Sequence, residues 1–272
     1  MKFAYEANAW GGVIGTSGAV TNLGSGFYET PGDIRETVKA IAAAGYTGLE
    51  LFDGNLLPFE DTIPDFTSIV RDGGLEVAGV YSGGQFIYPD AHEDELARFD
   101  RSIGLAAAVG ARHYVIGGGA IRSSGRRDED YTVAGELLDV VAGRAADAGL
   151  IASYHPHLGS LAQSPEQIDK LLYRTSIGVC ADVAHIAAGG GDPVDFIDRY
   201  QERLVYVHLK DLDLASNGFL PLGDGDLKLV DIIDAVSRAG YDDWITVELD
   251  GYPGDQNEAA RHSLRYMQEH IR

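Results

Sequence analysis

The chain has 272 residues, of which 45% are hydrophobic, and its formal net charge is −21 at pH 7. This composition supplies a sizeable apolar core, but no run approaches the ~18 apolar residues that cross a bilayer. The excess of acids disfavours nucleic acid and anionic membranes as partners, because both attract a basic surface. It does not exclude a neutral small molecule as substrate.

The N-terminal segment and the cysteine content favour a cytoplasmic protein. Residues 1–6 enter a strand pattern at once and lack the long apolar region of a signal peptide. Cys180 is the single cysteine, which excludes an internal disulfide. We therefore predict a cytoplasmic location and no membrane partner.

Strand and helix patterns alternate along the chain. Residues 2–9 predict a first strand, and residues 11–29, rich in Gly, Ser and Thr, predict a long loop. Pro31 and Asp33 mark the first helix start, and Gly45 ends that helix. Further helices are predicted at 63–70, 96–109, 131–148, 165–173, 193–200, 229–239 and 258–271. Further strands are predicted at 47–52, 75–81, 113–116, 150–154, 177–180, 204–208 and 244–249.

Eight strands that alternate with eight helices over this length predict a single-domain (β/α)8 TIM barrel spanning residues 1–272. Helices end in small-residue turns such as Ala44-Gly45-Tyr46, where glycine suits the left-handed position that closes a helix. A doubly wound open sheet is the alternative. It would carry a phosphate-binding glycine loop after an early strand, and the sequence shows none there.

Histidines and carboxylates follow the predicted strands at the end of the barrel where TIM-barrel active sites lie. One such histidine is more often a hydrogen-bonded core residue, but four adjacent strand ends with imidazoles or carboxylates favour a shared metal. Residues two apart share a face of a strand, as His155 and His157 do. The strand-end residues are Glu50, Asp53, Gln85, His155, His157, Asp182, His185, His208, Lys210, Asp211, Glu248 and Asp250.

A mixed set of imidazole and carboxylate ligands suits Mn²⁺, Zn²⁺, Fe²⁺ or Co²⁺. Such a cation would polarise a substrate carbonyl or hydroxyl and leave proton transfer to nearby groups. Several aromatic residues fit either an apolar wall for a sugar face or the core, and the sequence does not separate these interpretations. They are Trp10, Phe52, Tyr81, Phe86 and Tyr88.

These motifs together resemble the xylose isomerase-like barrel superfamily over nearly the whole chain. The motifs are residues 45–53 (GYTGLELFD), 154–159 (YHPHLG), 182–185 (DVAH), 208–211 (HLKD), 223–225 (GDG) and 247–248 (VE). The resemblance implies one divalent metal, most often Mn²⁺, with Zn²⁺, Co²⁺, Fe²⁺ or Mg²⁺ also compatible. Carried onto matching positions, its ligands are His155, Asp182, His208 and Glu248.

The first of these positions departs from many relatives. Ketose 3-epimerases carry a glutamate where this chain has His155, and that glutamate is one of their two proton-transfer carboxylates. The strand-five sequence Tyr154-His155-Pro156-His157 is instead similar to inosose dehydratases and to the catalytic subunits of C-glycoside deglycosidases. In both, the resemblance implies that a base removes a proton beside a ketone, a cation stabilises the enolate, and a β-substituent leaves.

The leading hypothesis is therefore a metal-dependent lyase or dehydratase acting on a keto-sugar, a 3-keto-glycoside or an inosose. We predict His157 or His185 as the proton shuttle and Lys210 as the group that holds a substrate oxygen. The predicted substrate-binding residues are Glu50, Trp10, Phe52 and Gln85.

Three other functions stay open at this point. An isomerase or epimerase would share the enolate step. A DNA-repair endonuclease of the same superfamily would need a basic groove, which the net charge of −21 opposes. A non-catalytic sugar-binding barrel is the third. C-glycoside deglycosidases work with a smaller second subunit, so a small second subunit or a homo-oligomer is compatible with the sequence.

Overall fold

A computed structural model describes residues 1–11 and 26–271 of the chain. Eight parallel strands form a closed barrel, and a separate two-stranded hairpin lies outside it. The barrel strands are β1 (Lys2–Glu6), β2 (Gly48–Phe52), β3 (Glu76–Gly84), β4 (His113–Gly118), β5 (Ile151–Tyr154), β6 (Gly178–Asp182), β7 (Leu204–Leu209) and β10 (Trp244–Val247). The hairpin strands are β8 (Asp211–Asp213) and β9 (Gly218–Leu220). The predicted single-domain TIM barrel is confirmed.

The barrel closes between its first and last strands. Its order is β1-β10-β7-β6-β5-β4-β3-β2, with β2 returning to β1. Ala4 of β1 stands opposite Gly48 on one side and Thr246 on the other. All eight strands run in one direction, so their carboxyl ends share one rim, and the polar residues at those ends converge there.

Helices cover the outside of the barrel. They are α1 (Asn8–Gly11), α2 (Ile34–Ala44), α3 (Ile63–Asp72), α4 (His92–Ala108), α5 (Asp128–Asp147), α6 (Pro165–Leu172), α7 (Val183–Ala188), α8 (Pro193–Tyr200), α9 (Leu229–Arg238) and α10 (Gln256–His270). Local chemistry sets their ends. Asp33 caps α2 by accepting a hydrogen bond from Arg35 N, and Gly45 closes it with φ 101°. None of the helices described is long and apolar enough to cross a membrane.

Apolar side chains pack in two layers. The larger layer lies between the strands and the helices. The smaller layer fills the barrel interior because alternate residues of each strand point inward. This inner layer consists of Ala4, Phe52, Ala78, Tyr81, Val115, Cys180, Tyr206 and Trp244, with Tyr28 packed against it.

Several boundaries differ from those predicted. The first strand ends at Glu6, because the chain turns into the short helix α1 at Asn8. Strands β3 and β4 run on through glycines to Gly84 and Gly118. Helix α7 and the β8–β9 hairpin are additional elements, each too short to produce a periodic pattern. Most of the predicted loop at 11–29 lies outside the described residues.

Candidate active site

Four polar side chains meet at the carboxyl rim of the barrel. His155 follows β5, Asp182 ends β6, His208 lies near the end of β7, and Glu248 follows β10. All four are buried, and none is more than 6% exposed. The structure therefore brings together the four residues predicted as metal ligands.

The spacing of their donor atoms fits one divalent cation. One nitrogen or oxygen from each residue lies within 4.8 Å of the others. His155 Nε2 is 3.2 Å from Asp182 Oδ2, and His208 Nδ1 is 3.0 Å from Glu248 Oε2. Metal bonds of about 2.0–2.2 Å place neighbouring ligand atoms roughly 3.0–3.4 Å apart, so both distances suit a shared cation. Two imidazoles and two carboxylates also form a donor set typical of Mn²⁺, Zn²⁺, Fe²⁺ or Co²⁺.

Asp182 is fixed by the start of a helix. It caps α7, where its Oδ1 accepts backbone hydrogen bonds from Ala184 (3.0 Å) and His185 (2.9 Å). Burial raises the pKa of Asp182, but the Lys210 ammonium and a hydrogen bond from His155 outweigh burial and hold the pKa well below its usual value. The carboxylate is thus charged, and Oδ2 faces the cluster.

Glu50 lies against His208 rather than in an open pocket. It is fully buried, and its two oxygens lie 3.1 and 3.0 Å from His208 Nε2. Tyr206 donates a hydrogen bond of 2.7 Å to the same carboxylate. A carboxylate that accepts from one imidazole nitrogen leaves the other nitrogen free to bind a cation. Glu50 was predicted to bind substrate, and its described contacts are with protein groups.

Lys210 supplies a buried positive charge next to the four-residue cluster. Its Nζ lies 2.8 Å from Glu248 Oε2, 2.8 Å from Asp250 Oδ2 and 3.3 Å from Asp182 Oδ2, and the residue is fully buried. Burial lowers the pKa of Lys210, but the three carboxylates outweigh burial and raise it well above its usual value. Lys210 is therefore an ammonium group.

His157 and His185 form a pair beside the cluster. Their ring centroids are 3.9 Å apart, and one nitrogen of each lies within 4.8 Å of an Asp250 oxygen. His157 Nδ1 donates to the carbonyl oxygen of Leu158 at 2.7 Å, so its Nε2 carries the lone pair. Burial and the neighbouring His155 lower the pKa of His157 to about 4. The two residues predicted as proton shuttles are thus adjacent.

Two residues of the site were not predicted from the sequence. Asn8 follows β1 and donates to Glu248 Oε1 (3.2 Å) and Asp250 Oδ1 (2.6 Å). Its position at the end of a barrel strand was the available signal, but the strand was predicted to continue past it. Phe219 of β9 lies 4.4 Å from Lys210 Nζ. No signal in the sequence marked it, because the hairpin itself was not predicted.

A pocket of about 610 Å³ opens beside His157 over the ends of β3, β4 and β5. Gln85, predicted to bind substrate, lines it together with His157. The described residues of its lining carry no Lys, Arg, Asp or Glu. They are Tyr28, Tyr81, Gly84, Gln85, Tyr88, Gly118, Gly119, Ala120, Ile121, His157, Leu158, Gly159 and Ser160. A cavity of this size suits a small molecule.

The other two predicted substrate residues lie elsewhere. Phe52 is buried in the inner apolar layer, where its ring centroid is 5.4 Å from that of Tyr81. Trp10 is half-buried, and its indole N–H donates to Asn257 at 3.0 Å. Neither is part of the described lining of the pocket. Phe52 therefore supports Tyr81 from behind, and Trp10 packs near α10.

Comparison with known proteins relates the chain to barrel enzymes. The profile of the xylose isomerase-like TIM barrel family matches residues 38–270. The rhizopine catabolism protein MocC of Rhizobium meliloti is 28% identical, over 98% of this chain and 85% of that protein. An inosose dehydratase of Lacticaseibacillus casei is 25% identical, over 85% of this chain and 88% of that enzyme.

A solved structure has the same fold as this chain. D-psicose 3-epimerase from Clostridium cellulolyticum H10, solved with D-tagatose, superposes with a TM-score of 0.78 at 15% identity. The superposition covers 100% of this chain and 99% of that one. At this identity the likeness concerns the fold alone.

Proposed function

Because the chain belongs to the xylose isomerase-like TIM barrel family, we propose that it is a divalent-metal-dependent lyase acting on a keto-sugar, a 3-keto-glycoside or an inosose. The observation that carries this proposal is the buried imidazole and carboxylate cluster with the His157–His185 pair at its side. A second support is the likeness to an enzyme named inosose dehydratase. The proposed reaction is a β-elimination next to a ketone.

The metal would be held by His155, Asp182, His208 and Glu248, and Mn²⁺ is the proposed ion. When bound, a divalent cation supplies positive charge to a substrate carbonyl oxygen and so acidifies the adjacent carbon. Lys210 adds a second positive charge within 3.3 Å of Asp182 and Glu248, and we assign it to a substrate oxygen.

His157 is the proposed general base. Its Nδ1–H bond to Leu158 fixes the neutral tautomer with a lone pair on Nε2, and His157 lines the pocket that would admit substrate. Nε2 takes the proton from the carbon beside the ketone, and the electron pair of that C–H bond forms the new double bond. The β-substituent then leaves with its own bonding pair and takes up a proton.

His185 is the proposed proton donor to the leaving group: its Nδ1 gives up a proton while its Nε2 takes one from the Lys210 ammonium, so that no imidazolate forms. The Lys210 ammonium lies 3.5 Å from His185 Nε2, which places the imidazole lone pair on Nε2 and the proton on Nδ1. Nδ1 has no partner in the part of the chain that the structure describes. A donor on one imidazole and a lone pair on its neighbour are what an elimination uses.

The first experiment compares the metal content of the wild-type protein with that of an Asp182→Ala, Glu248→Ala variant. About one metal ion per wild-type chain, lost from the variant, is expected because two of four ligands are removed. The wild-type protein is then assayed with inososes and 3-keto-glycosides for loss of water or aglycone. A protein that binds no metal even after incubation with Mn²⁺ would rule out the proposal.

The residue roles have their own test. His157→Ala is expected to lower kcat by roughly 10²- to 10⁴-fold with metal still bound, since general-base catalysis typically contributes that much. Lys210→Ala is expected to lower kcat by roughly 10²- to 10³-fold, the typical effect of losing one donor to a developing oxyanion. Glu129, an exposed acid on α5, offers a control as Glu129→Ala, which should leave kcat unchanged. Full turnover in His157→Ala or in Lys210→Ala would show that the role of that residue is assigned wrongly.

An isomerase or epimerase is the second candidate. The observation in its favour is the close approach of two imidazoles, because one can remove a proton and the other return it. Reaction in D₂O separates the two functions. Deuterium retained in recovered sugar favours the isomerase, and loss of water or an aglycone favours the lyase. A cytoplasmic location, and a homo-oligomer or second subunit, remain predictions.

A further inference from the structure

The hairpin after β7 brings an aromatic ring to the rim of the barrel. Its two strands run antiparallel, with Leu212 opposite Phe219. The hairpin is not part of the barrel sheet, yet Phe219 is only 7% exposed. The ring centroid lies 4.4 Å from Lys210 Nζ and 5.1 Å from the His185 ring, which it meets at 76°.

This contact differs in kind from the other contacts of the ammonium group. Lys210 Nζ donates a hydrogen bond to Asp250 and forms ion pairs with Asp182 and Glu248. An aromatic face attracts a cation without accepting a conventional hydrogen bond. Phe219 thus restrains the ammonium while leaving its N–H donors for oxygen atoms. The same ring limits the movement of His185.

Asp211 fixes the segment that carries the ring. Its buried carboxylate accepts four backbone hydrogen bonds: from Leu212, Gly223 and Gly225 at 2.9 Å each, and from Leu227 at 3.2 Å. A Cβ at Gly225 would lie 2.3 Å from Asp211 Oδ1, so this approach requires glycine. The Asp211 side chain thereby holds the start of the hairpin against residues 223–227, which follow the hairpin.

We propose that Phe219 is a positioning residue for Lys210 and His185, and that Asp211 holds the hairpin in the place where Phe219 can act. This inference rests on the proposed function, since it assigns Lys210 and His185 to the substrate. It adds to the site a residue that comes from outside the barrel sheet. The ring keeps the ammonium among the carboxylates and closes the hairpin side of the site.

The test uses the metal-loaded full chain and an amine-acylating reagent, with labelled lysines identified by mass spectrometry. In the wild-type protein Lys210 is expected to stay unlabelled while the exposed Lys2 and Lys39 react. In Phe219→Ala, Lys210 should become labelled, although more slowly than Lys2, because Asp182, Glu248 and Asp250 still keep its amine protonated. The matched control is Leu214→Ala, which removes a 54% exposed side chain from the same hairpin and should label as the wild type does.

Kinetics give the second measurement. Phe219→Ala should lower kcat roughly 10- to 100-fold, because the reacting groups are displaced, with metal content unchanged. Phe219→Tyr keeps the ring and should restore kcat to near the wild-type value. If the alanine variant does not fold, Phe219→Leu takes its place. Leucine fills the volume without an aromatic face. Phe219→Leu should therefore show the same gain in Lys210 labelling and the same fall in kcat, each smaller than in Phe219→Ala.

Two results would overturn the inference. One is a Lys210 that remains unlabelled in Phe219→Ala together with wild-type kcat. The other is the same labelling and kcat in Phe219→Ala and Leu214→Ala. If the wild-type chain turns over no tested carbohydrate, the proposed function fails, whereas the labelling still decides whether Phe219 holds Lys210.

Discussion

The role of an acidic side chain at a strand end depends on which neighbour its carboxylate reaches. Glu248 and Glu50 both lie beside His208, one at each ring nitrogen. Glu248 is at Nδ1, together with the other three residues of the candidate metal site. Glu50 is at Nε2, on the opposite side of the ring. We therefore propose different roles for two glutamates of similar burial, Glu248 as a metal ligand and Glu50 as a support for the ligand His208.

Replacing Glu50 should weaken metal binding without removing a ligand. In Glu50→Gln the amide oxygen still accepts from His208 Nε2, but the negative charge that increases the basicity of the imidazole is lost. Loss of such a supporting group typically costs roughly 10- to 100-fold in metal affinity. We therefore expect the dissociation constant of Mn²⁺ to rise by about that factor, measured by titration calorimetry of metal-free protein.

The control for this variant is Glu60→Gln. It makes the same change in net charge at a partly exposed position that pairs with Arg101. Its metal affinity should equal that of the wild type. Equal affinity in Glu50→Gln as well would mean that Glu50 does not support His208, and would return it to the substrate-binding role predicted from sequence.

Residue type and strand position predicted the polar cluster well. His155, Asp182, His208 and Glu248 come together because parallel strands bring their carboxyl ends to one rim, a rule that sequence alone can apply. Side-chain direction was not predictable in the same way. Trp10 lies just past β1, and its indole turns to Asn257 because α1 redirects the chain there. The partner of a side chain beyond a strand end depends on the local turn.

At the scale of single elements, long periodic segments were predictable and short ones were not. Helix α8 was predicted with the bounds that the structure shows, since Pro193 starts it and its apolar stripe is complete. Strand β4 was predicted to end at residue 116 but continues through Gly117 and Gly118. Glycine carries no hydrophobic signal, so the extension was not visible in the pattern. Gly117 is needed there because Tyr81 packs against the strand, and Gly118 because a Cβ would lie 2.6 Å from the carbonyl oxygen of Gly84.

Substitution of Gly117 should disturb both the strand and the pocket. A Cβ at this position would lie 1.7 Å from Tyr81 Oη, so the tyrosine must move. Overpacking of this kind costs about 1–3 kcal/mol of stability. Tyr81 also lines the pocket, so Gly117→Ala should raise KM as well. Urea unfolding and steady-state kinetics measure the two effects.

Gly143 in α5 provides the matched control. Nothing lies within 4 Å of a Cβ built there, and the residue lies inside α5 rather than at one of its caps. Gly143→Ala should therefore stabilise the protein by about 0.5–1 kcal/mol and leave KM unchanged. A Gly117→Ala protein as stable as the wild type would contradict the packing of Tyr81 on β4.

At the scale of the whole molecule, the repeating unit determined the fold. Eight strands that alternate with eight helices over this length close into a (β/α)8 barrel. The family resemblance inferred from the motifs is confirmed. What the alternation does not reveal is the content of the barrel interior. His113 begins β4 and is fully buried there, with its ring centroid 4.5 Å from that of Tyr206.

His113 should make the stability of the whole barrel depend on pH. Burial lowers its pKa from 6.5 to about 4, although Asp243 lies 3.3 Å away. The unfolded chain therefore binds a proton more readily between pH 6.5 and 4, and stability present above pH 6.5 is lost as the pH falls. The loss by pH 5 is about 2 kcal/mol. Urea unfolding at pH 7.5 and 5 measures it, with His113→Gln, which cannot titrate, as the comparison that cancels all other groups. An equal loss of stability in both proteins would show that His113 takes up its proton as readily in the folded barrel as in the unfolded chain.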